Sequence, residues 1–169
     1  MLKPLMLTTA ILIGAGSTVA ATGRNRIDID TEITIAAPVA KVWAALTDLA
    51  KYPEWNPYHV RVEGHAAPGA RLRVEIHKPN GNRLTIRPHV KEVMPERSLV
   101  WGGGVAGIFK GTHRFDLEPL GPGCTRLRQS EVFSGIAIRW AELGAIEPGY
   151  RQVNAALKHR LEATSGHSC

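Results

Sequence analysis

The sequence predicts an α+β fold in which a curved antiparallel sheet wraps one long C-terminal helix. Three observations point there. An early strand passes directly into helical spacing; six extended runs with turn signals between them follow; and the chain closes on one strongly amphipathic helix. A lone antiparallel sheet must cover its apolar face, and the last helix is the only element large enough to do so. With 169 residues, 44% apolar and 21% charged, the chain has room for one domain with a sizeable core.

The N-terminus reads separately from the rest. MLKPLMLTTAILIGAGSTVAATG carries one basic residue, Lys3, then an apolar stretch from Leu5 to Ala15 and the small residues Thr18 to Ala21. That layout is expected of a secretory signal peptide over residues 1–21, and it makes the protein an exported one. An uncleaved anchor is the alternative. No cysteine lies at the cleavage region for lipid attachment. The expected domain runs over 27–164, with 165–169 as a C-terminal tail.

From Ile27 the isoleucines at 27, 29, 33 and 35 alternate with Asp, Glu and Thr, the mark of a strand with one buried face. Pro38 then opens a stretch in which Val39, Val42, Trp43 and Leu46 follow helical spacing, and Pro53 divides it into two short helices. The runs YHVRVEGHA, RLRVEIHK, RLTIRPHVKEV, SLVWGG, THRFDLEPL and TRLRQSEVF follow. Their separators, including Pro79-Asn80-Gly81 and Gly121-Pro122-Gly123, are hairpin-type connections. The element order is therefore β-α-α-β6-α, about seven strands. Pro148 and Gly149 precede the final helix, where Tyr150, Val153, Leu157 and Leu161 share one side.

The chemistry concentrates in residues 111 to 135, GTHRFDLEPLGPGCTRLRQSEVFSG. Setting Asp116 opposite Arg128 and Glu118 opposite Arg126 gives the outer face two opposite-charge cross-strand pairs. The same register puts Leu117 opposite Leu127, Phe115 opposite Gln129 and His113 opposite Glu131, all facing inward. A carboxyl beside an imidazole under a helix has two readings. It is either a mutually satisfied polar pair or an acid–base pair in a pocket. Gln129, and Asn154 on the last helix, face the same space, and Trp101 and Tyr58 are candidate cavity-lining aromatics.

Other residue patterns exclude chemistry more than they suggest it. His59, His65, His77 and His89 share no ligand spacing, so no metal site is expected. Gly102-Gly103-Gly104 precedes no helix and is not a phosphate loop. The net charge is +6, yet Lys and Arg are spread over alternating strand positions, which argues for a solvated sheet face and against nucleic acid. Weak association of that basic face with an anionic membrane surface is an open alternative. The two cysteines, Cys124 and Cys169, lack metal spacing. A final helix of about 17 residues returns along the sheet by roughly 26 Å, so Cys169 comes within reach of Cys124; the two either pair or remain free thiols.

Several stretches together resemble the SRPBCC, or START-like helix-grip, superfamily, and in particular small bacterial members described as polyketide cyclase/dehydrase and lipid-transport proteins. They are IAAPVAKVWAALTDLAKYPEWNPY, LVWGG, the hairpin quoted above and PGYRQVNAALKHRLE. The resemblance implies the helix-grip fold over about 27 to 164, with Glu131 and Asn154 at positions that recur in such relatives. It implies no cofactor and does not settle activity, because members bind lipids, polyketides, hormones or alkaloid precursors and only some are catalysts. The exported N-terminus departs from the cytoplasmic cyclases.

Two functions are therefore expected in parallel. One is an exported domain that binds a hydrophobic small molecule between sheet and helix, with His113, Gln129, Glu131, Asn154, Trp101, Phe115 and Tyr58 around it. The other is a cyclase/dehydratase- or isomerase-type enzyme in which His113 and Glu131 move a proton alpha to a carbonyl. An envelope interaction module is a third class, and the sequence does not reach the oligomeric state.

Overall fold

The computed structural model describes residues 25–163 and Cys169. The expected signal peptide and residues 164–168 lie outside the described residues. The order is β1 (Arg26–Ile35), α1 (Val39–Thr47), a 3-10 segment (Leu49–Glu54), β2 (His59–Glu63), β3 (Arg73–His77), β4 (Arg83–Ile86), β5 (His89–Met94), β6 (Ser98–Val105), β7 (Phe109–Gly121), β8 (Cys124–Ser134), a second 3-10 segment (Ile136–Trp140) and α2 (Ile146–Glu162). The fold is α+β, a curved antiparallel sheet against a C-terminal helix, with eight strands in place of seven.

The extra strand has a local cause. Residues 83 to 93, read as one run, divide at Arg87-Pro88 into β4 and β5, which belong to different panels. Pro88 has no amide to continue a ladder and holds the residue before it extended, so the strand ends there. The panels are β1-β8-β7-β6-β5 and β2-β3-β4. They are stitched beside the break: Leu72 N–H donates to the Pro88 carbonyl at 2.9 Å, and Val90 N–H donates to Ala70 at 2.9 Å.

The helix α2 begins earlier than its periodicity suggests. Pro148 and Gly149 lie inside its first turn, where proline's missing N–H leaves no bond unmade. Gly149 is required by a close approach, since a Cβ there would overlap the Tyr58 ring. At the far end, Lys158 Nζ donates to the Thr34 carbonyl at 2.8 Å and Ala36 N–H donates to Glu162 Oε1 at 2.7 Å, aligning α2 along β1. Beneath its middle, Val153 and Leu157 pack with Ile35, Val42, Leu46, Phe115 and Leu127 into a fully buried core. At the β7–β8 turn, Cys124 is joined to Cys169 by a disulfide, with the Cα atoms 5.6 Å apart.

Candidate functional site

The β7–β8 register is the one expected from charge. His113 lies opposite Glu131, Phe115 opposite Gln129, Leu117 opposite Leu127 and Asp116 opposite Arg128. On the outer face Arg126 Nη1 meets Glu118 at 2.7 Å, whereas Arg128 turns away from Asp116 and pairs with Asp30 on β1. Backbone neighbours on the inner face are likewise not bonded partners. Among the described residues no hydrogen bond joins His113 to Glu131; each is held by a different group.

Glu131 accepts a hydrogen bond from the Tyr150 hydroxyl, which α2 brings down in its first full turn. His113 lies 3.0 Å from Gln129, nitrogen to nitrogen. With the Gln129 amide as donor, His113 Nε2 accepts and the imidazole proton sits on Nδ1, which has no protein partner. The row continues behind the sheet surface: Asn154 Nδ2 donates to Thr31 Oγ1 at 3.0 Å, and Thr31 donates to the Gln129 carbonyl at 3.1 Å. The inward polar groups thus form two separate sets, one carboxyl–phenol pair and one row running Asn154, Thr31, Gln129, His113.

Above these groups lies a cavity of about 300 Å³ between the two sheet panels and the start of α2. Its deep wall is Tyr58, His59, Trp101, His113, Glu131 and Tyr150. Its apolar sides come from Ile76, Leu84, Ile86, Phe109, Phe133, Leu143 and Ile146. Gly111 keeps the floor open, because a Cβ at that position would stand 2.9 Å from Glu131 Oε1 and 3.2 Å from the Phe133 ring. Lys78 and Glu142 close one side of the mouth, their ion pair at 2.5 Å joining the end of β3 to the loop before α2.

Of the residues singled out from sequence, Tyr58, Trp101, His113 and Glu131 line this cavity. Phe115, Gln129 and Asn154 do not. Phe115 is fully buried with its ring edge-on to His113 at 4.5 Å, while Gln129 and Asn154 lie one layer deeper, absorbed in the row that reaches Thr31. Two polar residues of the wall escaped the sequence reading. Tyr150 was hidden in an apolar helical stripe, and His59 among histidines of mixed parity. For His59 the signal is weak: it opens β2 with a β-bulge between His59 and Arg61, which shifts its facing relative to the rest of the strand.

Aromatic rings crowd the polar groups at the deep end of the cavity. His113 stacks on Trp101 at 4.9 Å and meets His59 at 5.4 Å and Tyr150 at 5.0 Å. Burial pushes the His59 imidazole down to about 3. It pushes His113 well below its ordinary value too, with the His59 ring adding to the effect, so both rings are neutral. Glu131 is driven the other way: burial raises its carboxyl to about 7, against the opposing hydrogen bond from Tyr150. Burial, and then the Glu131 charge, hold Tyr150 well above the ordinary phenol value. The site therefore offers a carboxyl poised between its two protonation states and two neutral imidazoles, with its one lining cation, Lys78, already spent on Glu142.

Comparison with known proteins places this architecture. No curated protein sequence matches the chain. Among solved structures, a START superfamily protein from Mycobacterium smegmatis superposes with TM-score 0.63 at 18% identity, covering 82% of this chain and 99% of that one. The di-domain ARO/CYC protein BexL from the BE-7585A biosynthetic pathway gives TM-score 0.68 at 18% identity, over 85% of this chain and 52% of that one. A protein from Mesorhizobium loti is 25% identical with TM-score 0.62, over 82% and 98% of the two chains. The family model described as "Polyketide cyclase / dehydrase and lipid transport" matches residues 26–163, β1 through the end of α2, and the chain belongs to that family.

Proposed function

We propose that this protein is an exported binder of a neutral, hydrophobic small molecule that seats its polar end against Glu131, Tyr150 and Tyr58. One observation carries the reading: a cavity of about 300 Å³ with an apolar flank and a few convergent polar groups at its deep end. That size is at the small end of ordinary ligand pockets. The charge state argues for the ligand class. Both imidazoles are neutral and Lys78 is paired with Glu142, so an anionic headgroup would enter a largely apolar site with no free counter-charge. A hydroxyl or keto group meets donors and acceptors there without that cost. The leader-like N-terminal sequence supports export, and with it a carrier or sequestering role outside the cytoplasm.

A second reading keeps one favourable observation. A carboxyl near 7 in an apolar pocket suits proton transfer at neutral pH, and Glu131 with Tyr150 would be the acid–base pair in place of Glu131 with His113. The two are separated by native mass spectrometry of protein purified from the exported fraction, followed by loading with the molecule recovered. A stoichiometric small neutral adduct released unchanged is the expected result. An empty cavity across preparations, or an anionic lipid as the adduct, would overturn the binding reading. An adduct recovered in altered form, with the change lost in Glu131→Gln, would establish the enzyme.

A further inference from the structure

The sheet's basic face is not a free polycation. Arg61 and Arg73 are paired with Glu63, and Arg73 also with Glu75. Arg114 bridges Glu92 and Asp116, Arg126 bridges Glu32 and Glu118, and Arg128 holds Asp30. Of the arginines that the sequence analysis spread over the strands, Arg61, Arg73, Arg126 and Arg128 thus spend their charge on neighbouring carboxylates.

A different surface has the needed character. The β6–β7 hairpin tip exposes Val105 (60%) and Ile108 (53%), and the 3-10 segment after β8 exposes Ile136 (56%) and Trp140 (69%). The two pieces are bonded into one surface, with Ile136 N–H donating to Gly107 at 3.0 Å and Ala137 N–H donating to Ile108 at 2.9 Å. Four large apolar side chains this exposed on one patch are unusual where nothing covers them. Cations adjoin it. Lys110 follows the tip, Lys91 lies close enough to Lys110 for the two charges to interact, and Arg139 sits 3.9 Å over the Trp140 ring. Among the described residues none of these three is ion-paired. An exposed tryptophan with aliphatic neighbours and flanking Lys and Arg is the composition that settles at a headgroup–acyl boundary.

Placement gives the patch a purpose. Phe109, beside Ile108, and Ala141, beside Trp140, both line the cavity, so the patch borders its mouth. The described chain also enters at this end, Gly135 N–H donating to the Asn25 carbonyl at 2.9 Å. We infer that the Val105–Ile108 tip and the Ile136–Trp140 segment form a docking surface for an anionic phospholipid bilayer, setting the cavity mouth against the membrane. Docking itself stands without the binding reading; only its role in loading the cavity rests on that reading.

The test uses protein expressed from the full sequence, purified as the cell leaves it, and mixed with phosphatidylglycerol/phosphatidylcholine vesicles carrying brominated acyl chains. Trp140 emission is expected to shift blue and be quenched, and Trp140→Phe to lack the quenched component. Ile108→Asp should lower the vesicle-bound fraction about tenfold, with the melting temperature unchanged, while Arg128→Gln leaves binding intact. Added salt weakens the binding. The difference between wild type and Trp140→Phe isolates Trp140 from the other three tryptophans, and the loss in Ile108→Asp ties binding to the patch. The proposal fails if the protein does not bind, if bound protein keeps Trp140 unquenched, if Ile108→Asp binds like wild type, or if sedimentation shows copies of the chain pairing over Trp140. Native mass spectrometry separates the two ideas, since quenching with an empty cavity would remove the binding reading and leave docking in place.

Discussion

The two ends of the space beneath α2 share the strands β7 and β8 and differ in what fills them. Toward the β7–β8 turn, Phe115, Leu117 and Leu127 pack with Ile35, Leu46 and Leu157 in one buried cluster. Toward the other end the same strands present Gly111, His113 and Glu131, and above them lie Tyr150 and open space. The hollow is therefore made by residue choice, glycine and short polar groups where the packed end has aliphatics. A second contribution is the break at Pro88, which sets β2-β3-β4 off as a separate panel. A native interior is close-packed, and a void retained beside so tight a core marks the candidate site.

Truncation at the packed end should have the largest effect. Phe115→Ala is expected to cost about 3–5 kcal/mol, read by denaturant unfolding. Phe109→Ala, on the cavity flank, should cost less than half as much because its ring already faces open volume. Equal losses would mean that the two ends are packed alike.

Next is Glu131→Gln. The folded carboxyl is raised to about 7 from an ordinary 4.5, so its contribution to stability is fully present below 4.5 and is lost as pH rises through 7. The glutamine variant should thus gain on wild type between pH 5 and 8, by at most about 3 kcal/mol, in melting curves at the two pH values. The histidines act oppositely, since His59 and His113 are neutral when folded and lose stability as pH falls below 6.5. Subtracting variant from wild type at each pH isolates Glu131. A difference that does not change with pH would show that its carboxyl ionises as it would in water.

The smallest effect is expected where the packed end borders the hollow. Asn154→Ala removes the donor to Thr31 but leaves the Thr31 bond to the Gln129 carbonyl, and should cost about 1–2 kcal/mol. Ligand affinity should not change, since Asn154 does not line the cavity. A loss of affinity at unchanged stability would bring Asn154 back into the site.

Much of this was legible from residues alone. The isoleucines of β1, the alternation of β7 and β8 and the stripe on α2 are local patterns, and opposite charges across one turn were enough to register His113 with Glu131. Less was legible where an element changed panel. The run from Arg83 to Val93 looks continuous because periodicity does not reveal which neighbour each half will find. His59 was passed over because a bulge alters its facing, and Tyr150 because a buried phenol and a core aromatic share one helical spacing.

What the sequence determined by itself was which backbones stand side by side, since register follows from period-two patterning and a short turn between adjacent strands. What only the tertiary structure decided was which side chain bonds to which. Glu131 takes Tyr150 because the docking of α2 on the sheet sets that distance, and His113 takes Gln129, its diagonal neighbour across the β7–β8 hairpin. Register fixes which groups are near one another; the seating of α2, which no local spacing encodes, decides which of them Glu131 bonds.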